Sequence, residues 1–282
     1  MSRGTVLERL TTMRLTGVTL CAGFEHLLGA AGCARLEHLE MRDCLIRFRE
    51  VVLSPTLKTL VIDSSNLRMD QSSLRLCYTP RIVAHGLASL HLVLFSANAP
   101  LWDFDMPSLV QATVRMDRGC TNNEFNLLCS LLNVTKLEIS SFPLLDLVMR
   151  RRFGRDLPEF HNLTTLVLDQ CCFTSDAHTL LEFFLLQAPN LEKLTLQNCK
   201  LPTCTQRMVE MSCYHLNLKF VEIKHRTEDG VDGLIEYMLR VCKNLQTTDI
   251  LLSEGPEKPW YHQTLAAQGW YQNEFGHFVP RV

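Results

Sequence analysis

One apolar rhythm recurs along this chain and leaves few folds open to it. Apolar residues at offsets 0, +3 and +5, often joined by +8 and +10, stand out in "LEHLEMRDCLI" from Leu36, "LKTLVIDSSNL" from Leu57, "VTKLEISSFPL" from Val134, "LTTLVLDQCCF" from Leu163 and "LEKLTLQNCKL" from Leu191. Weaker copies begin at Leu10, Leu87, Leu109, Leu218 and Leu245. The ten starting points, 10, 36, 57, 87, 109, 134, 163, 191, 218 and 245, lie 21 to 30 residues apart and settle at 27 to 29 in the second half. One L-x-x-L-x-L is a weak signal; ten at a near-constant period are a strong one.

Offsets +3 and +5 are two apart, so in a strand they share a face and point to one core. Offset 0 opens this inward set, and +8 and +10 bury the turn that follows. Cys44, Cys171 and Cys199 occupy +8, where a small, weakly polar side chain fits an interior slot. Between strands the period changes. Residues 176–187, "DAHTLLEFFLLQ", are too densely apolar for a surface helix and read as a helix packed behind the sheet, with Ser175 or Asp176 as cap and Pro189 past its end. "NNEFNLLCSLL" from Asn122 and "DGVDGLIEYMLRVCKN" from Asp229 repeat the device. Residues 67–86 and 97–108 read as irregular loops on the outer side. A strand with its return segment cannot bury its apolar face alone, so neighbours must stack. The period is that of leucine-rich repeats, and the expected fold is an α/β solenoid: a horseshoe with a parallel sheet on the concave face and helices on the convex face.

The array covers 1–255 as one domain, and residues 256–282 form an aromatic-rich end with Trp260, Tyr261, Trp270, Tyr271, Phe275 and Phe278. That end reads as a packed cap, a partner-binding surface or a frayed tail. The first copy starts about nine residues after Met1 with no helical or polar cap before it. Its apolar end therefore needs a preceding segment or a partner to cover it, and without one it should drive association.

The net charge of -2 gives no bulk attraction for nucleic acid or anionic lipid. No run reaches the roughly 20 apolar residues of a membrane span, and "MSRGTVLERL" lacks a secretory leader's apolar core. An intracellular protein is expected, in cytoplasm or nucleus. Twelve cysteines without a C-x-x-C pair read chiefly as reduced thiols, with a redox role or metal as lesser alternatives. The histidines, His91, His161, His178, His215 and His225 among them, form no H-x-x-x-H, and G-x-S-x-G, P-loop and G-x-G-x-x-G motifs are missing. No enzyme activity, metal or cofactor is expected, since an open sheet excludes water poorly. Arg150, Arg151, Arg152 and Arg155 form one basic cluster with only Phe153 beside it, and read as a solvated loop.

Offsets +2, +4 and +6 alternate with the buried positions and line the open face. They are His38, Glu40 and Arg42; Thr59, Val61 and Asp63; Ser89, His91 and Val93; and Gln111, Thr113 and Arg115. The series continues with Lys136, Glu138 and Ser140; Thr165, Val167 and Asp169; Lys193, Thr195 and Gln197; and Phe220, Glu222 and Lys224. Both signs of charge with a few apolar points suit a protein ligand. A solvated face without a ligand is the competing reading, and a small-ligand site would call for a pocket near His91, Arg115 and Lys136.

"LLEFFLLQAPNLEKLTLQNC" (180–199) followed by "LKFVEIKHRTEDGVDGLIEYMLRVCKNLQ" (218–246) resembles the plant F-box/leucine-rich-repeat family. The second segment is similar to its FBD-type tail, placed here at about 216–252, and "CARLEHLEMRDCLI" and "TPRIVAHGLASLHL" fit its earlier repeats. The resemblance implies a substrate receptor of a cullin-RING ubiquitin ligase, in which an F-box docks on an adaptor and the repeats hold the target. Residues 1–35 carry no "LP-D-L-hh-I-h-hL"-like segment. An orphan repeat regulator without ligase activity is the alternative.

Overall fold

The computed structural model describes residues 6–21, 23–66, 80–94, 103–116, 124–141, 159–171, 180–199, 217–225, 238, 249–254, 270–272 and 278–280. Ten strands form one sheet, paired in parallel throughout. In sheet order they are β1 (Thr12–Thr16), β3 (His38–Arg42), β6 (Thr59–Asp63), β8 (Ser89–Leu94), β10 (Gln111–Met116), β11 (Lys136–Ser140), β12 (Thr165–Asp169), β13 (Lys193–Gln197), β14 (Phe220–His225) and β15 (Asp249–Glu254). Successive strands in the chain are successive in the sheet apart from short intervening ones, which is a solenoid path.

The inward set is where the rhythm puts it. At offset 0, Leu36, Leu57, Leu87, Leu109, Val134, Leu163, Leu191 and Leu218 are buried, and so are the +3 and +5 residues from Leu39 and Met41 through Val221 and Ile223. From Leu10 to Leu191 each repeat is entered by a tight turn in which the offset 0 amide donates to the carbonyl three residues earlier, as from Leu36 to Cys33, Leu163 to Phe160 and Leu191 to Ala188. The next two amides both donate to one carbonyl of the preceding repeat: Lys58 and Thr59 to Glu37, Thr164 and Thr165 to Thr135, Lys219 and Phe220 to Glu192.

Five of the strands are closed in one regular way. The +7 residue adopts positive φ at Gly17, Asp43, Ser141, Gln170 and Asn198, turning the chain out of the sheet. Its amide reaches the +6 carbonyl of the next strand: Gly17 to Arg42 at 2.9 Å, Ser141 to Asp169 at 3.0 Å, Gln170 to Gln197 at 2.8 Å. Ser64 after β6 makes the same bond, to Val93 O, without positive φ, and β8, β10, β14 and β15 instead run one residue further. The +8 thiols complete the turn: Cys44, Cys171 and Cys199 are buried, and each Sγ faces its own +6 carbonyl and the preceding strand's +5 carbonyl. For Cys199 the distances are 3.5 Å to Gln197 O and 3.2 Å to Leu168 O. Burial pushes the Cys199 thiol well above its ordinary range, with Cys171 adding to the shift.

Three expectations need correction. Residues 81–83 and 103–105 are not loops: β7 (Arg81–Val83) pairs in parallel with β5 (Glu50–Val52) on one side and with β9 (Asp103–Asp105) on the other, in a second sheet. Val51, Ile82 and Phe104 enter the same core as the main sheet, so alternation in three-residue pieces suffices for a strand here. A further short pair, β2 (Thr19–Leu20) and β4 (Leu45–Ile46), continues the turns of the first two repeats. The tenth copy is set two residues late. Asp249 pairs with Phe220, so Ile250 and Leu252 take the inward register and Leu245 does not open the set. Finally, the first repeat has a partial cap: a 3-10 turn, Val6–Arg9, packs Leu7 against the core. Met13 and Leu15 on β1 are nonetheless only partly buried, where their inner-strand counterparts are almost fully enclosed.

Helices are few among the described residues. α1 (Phe24–Leu28) packs on β5, α2 (Glu124–Ser130) on β9, and α3 (Leu180–Gln187) lies between β12 and β13 in sequence. In α3, Phe183 and Phe184 close on Phe160 with ring centroids 6.2 and 5.2 Å away, which explains its apolar density. Of the helix expected from Asp229, Met238 is described; it is helical and buried. The start of the helix expected at 176, the basic cluster at 150–155, and Trp260, Tyr261 and Phe275 lie outside the described residues. At the C-terminus β16 (Trp270–Gln272) and β17 (Phe278–Pro280) form an antiparallel pair.

Two outcomes test this packing. A thiol reagent on the folded chain should modify exposed Cys21 and spare Cys44, Cys171 and Cys199, read by mass mapping. Gly86→Ala should lower stability by about 1–3 kcal/mol in a thermal melt, because its Cβ would stand 2.1 Å from Pro55 O.

Candidate functional site

Zero stagger between parallel strands turns the alternating outward positions into three continuous rows. The +2 row includes His38, Thr59, Ser89, Gln111, Lys136, Thr165, Lys193 and Phe220. The +4 row carries Arg14, Glu40, Val61, His91, Thr113, Glu138, Val167, Thr195 and Glu222, and the +6 row carries Arg42, Asp63, Val93, Arg115, Ser140, Asp169, Gln197 and Lys224. The outward positions read from the sequence, from His38 to Lys224, therefore share one sheet face. They form distinct neighbourhoods on it.

The first neighbourhood spans β1, β3 and β6. Arg14 Nε donates to Glu40 Oε2 at 2.9 Å, Arg42 Nε donates to the other oxygen of Glu40, and Arg42 Nη1 reaches Asp63 Oδ2 at 3.3 Å. The Arg42 hydrogen bond, followed by the charges of Arg42 and Arg14, holds the Glu40 carboxyl below its usual range. Such solvent-facing pairs stabilise by at most about 1 kcal/mol each, and their value is in fixing which way the charges point. Arg14 belongs to this group by its offset in the copy from Leu10, yet the series of candidate positions began one strand later, at His38.

The second neighbourhood is central. Arg115 Nη2 lies 3.6 Å from Asp169 Oδ2, and Ser140 Oγ donates to the same oxygen at 3.4 Å. Asp169 is only 3% exposed and its Oδ1 is buried without a hydrogen-bond partner. Burial raises the Asp169 carboxyl, against the pull of Arg115 and the side chains of Asn198, Gln197 and Ser140. The expectation that Asp169 meets a partner directly does not fit this burial; it braces Arg115 instead. Ser140 and Thr195 are likewise enclosed. His91 is half-buried, and desolvation lowers its pKa despite the carboxylates of Asp63 and Glu138 nearby.

The third neighbourhood lies toward β14. Lys224 Nζ is 3.2 Å from Glu222 Oε2, Thr195 Oγ1 donates to the same carboxylate at 3.4 Å, and Lys193 Nζ stands 5.0 Å over the Phe220 ring. Below the rows a ladder of asparagines at offset -1 went unread. Asn190 Nδ2 donates to His161 O at 2.8 Å and Asn217 Nδ2 to Pro189 O at 2.9 Å. The Asn recurring before each apolar start from Val134 onward (Asn133, Asn162, Asn190, Asn217 and Asn244) was the available signal.

No family model matches the chain, and no solved structure matches it. Among curated proteins it is similar to the meiotic F-box protein MOF of rice (Oryza sativa subsp. japonica), 29% identical over 280 residues, which is 85% of this chain and 55% of that protein. The chain thus spans about half the length of the curated relative it matches. No helix among the described residues is long and apolar enough to cross a membrane.

Asp169 and His91 give opposite pH signatures. Asp169 favours its neutral form in the fold, so its contribution is greatest in acid and is lost as pH rises through the ordinary aspartate range, about 4, to its raised value. Asp169→Asn should therefore gain stability relative to the parent as pH rises above about 4. His91 binds its proton less readily when folded, so its contribution is present above about pH 6.5 and lost as pH falls below that. His91→Gln should reduce that acid-side loss, with melting temperature against pH as the measurement.

Proposed function

We propose that this chain is the target-holding part of an F-box-type ubiquitin-ligase receptor. The observation that carries the reading is its similarity to a rice F-box protein over 85% of its length. In this reading the solenoid is a leucine-rich-repeat horseshoe. Its ten-stranded sheet lines the concave side, its helices lie on the convex side, residues 216–252 are the FBD-like segment and 256–282 the terminal cap. The chain acts inside the cell by binding a protein, through the row residues from His38 to Lys224, and does no chemistry of its own.

The physical support is the character of the face. It is continuous and carries both signs of charge, with Phe220 and Val61 as apolar points. Oriented charges of both signs favour one docking register over others and speed encounter more than they add affinity. The net charge of -2 and the carboxylates of Glu40, Glu138 and Glu222 set the same face against nucleic acid and anionic lipid. The orphan-regulator reading shares this face and differs in whether an adaptor is recruited.

Affinity capture with the tagged full chain from plant extract, scored for the cullin-ligase adaptor and for co-retained proteins, tests the proposal. A retained protein is expected, to be lost with Glu40→Lys/Glu138→Lys, and adaptor recovered with it and kept in that variant would place a docking element within this chain. Retention of a partner without adaptor would replace the receptor reading with the regulator. Retention indifferent to every row substitution would overturn the face as the binding surface.

A further inference from the structure

The rows are unevenly compensated, and the imbalance falls at one place. On three successive strands, β11, β12 and β13, the +2 row reads Lys136, Thr165, Lys193. Both lysines are exposed, and they stand two strand steps apart, about 10 Å between Cα atoms. Neither is in an ion pair among the described residues. The acids around them are held elsewhere: Glu192 by Lys219 at 2.7 Å, Glu222 by Lys224 at 3.2 Å, and buried Asp169 by Arg115 at 3.6 Å. Glu138, two residues along β11 from Lys136 on the same face, is the remaining carboxylate. Two ammonium groups thus face one carboxylate.

Resting on the binding role argued above, we propose that Lys136, Thr165 and Lys193 form an anion subsite of that face and take carboxylates from an acidic peptide segment of the partner. Thr165 lies between the two lysines in register, and their stems are long enough for the ammonium groups to converge above it once Lys193 swings over from Phe220, above whose ring its Nζ stands at 5.0 Å on the β14 side. Phe220 thus holds Lys193 in the free chain and offers an apolar border to the subsite. A long polyanion does not fit, because Glu40, Asp63, Glu138 and Glu222 line the adjacent rows and would meet its continued charge. A short acidic stretch places its charge at the lysines and leaves those rows to neutral or basic neighbours.

The test is fluorescence anisotropy of the full chain with a labelled peptide of repeated Glu-Gly-Gly units at low salt, with Lys-Gly-Gly and phosphoserine-Gly-Gly counterparts. The Glu peptide should bind in preference to the Lys peptide. Lys136→Glu/Lys193→Glu should weaken it by about tenfold or more, and Lys58→Glu, a reversal at an exposed lysine outside the row, should leave it unchanged. Carbodiimide coupling should join the peptide to Lys136 and Lys193. The neutral pair Lys136→Gln/Lys193→Gln, with an unchanged melting temperature, should also weaken binding. Overturning results are affinity unmoved by both double variants, coupling at other lysines, equal binding of the Lys peptide, or binding of the phosphoserine peptide alone. If any of these occurs while partner capture still responds to Glu40→Lys/Glu138→Lys, the subsite fails and the binding role stands. If capture is also indifferent, both fail.

Discussion

Everything on the open face depends on how each strand ends. On β1, β3, β11, β12 and β13 the +7 residue turns out of the sheet with positive φ and sends its amide to the +6 carbonyl of the next strand, as Gln170 does to Gln197 and Asn198 to Lys224. The entry turn makes the matching bond at the other end. With both ends of a strand tied to the same neighbour, the register cannot slip without breaking several backbone bonds in low-dielectric surroundings. Zero stagger is the result, and zero stagger is what converts alternate residues into rows.

The buried thiols belong to this closure. A Cys at +8 is small enough to sit under the turn, and its Sγ lies against two carbonyls that would otherwise be enclosed beside a purely apolar group. The apolar residues at offsets 0, +3 and +5 then supply the driving force, each repeat covering its neighbour. At β1 the covering is incomplete, and Met13 and Leu15 remain partly open. The same logic assigns different work to similar charges. Glu40 is oriented by two arginines at the surface, whereas Asp169 is buried and braces Arg115 from below. Only the surface kind is available to a partner.

Much of this was legible from spacing. Nine strands carry their inward pairs at +3 and +5 as expected, because period-two alternation leaves little freedom once offset 0 is known. The tenth was misplaced because Leu245 and Ile250 imitate offsets 0 and +5, while Ile250 and Leu252 hold +3 and +5 in the register with β14. The short strands at 81–83 and 103–105 escaped notice because three residues are too few to display a period. Membership of the open face followed from parity alone. Pairing and depth on it did not, since Arg115 meets Asp169 across two strand steps and the burial of Asp169 arises from packing around it.

The central claim is that one ladder of in-register parallel strands sets the spacing of the whole face, and pulsed electron-electron distance measurement tests it most directly. Spin labels placed pairwise at the exposed +2 positions His38, Gln111, Lys136 and Lys193 sample β3, β10, β11 and β13. The account predicts separations that rise in strand order and stay within about 4.8 Å per strand step, plus the label tethers. Distances out of strand order, or a Lys136–Lys193 separation as long as that from His38 to Lys193, would contradict it.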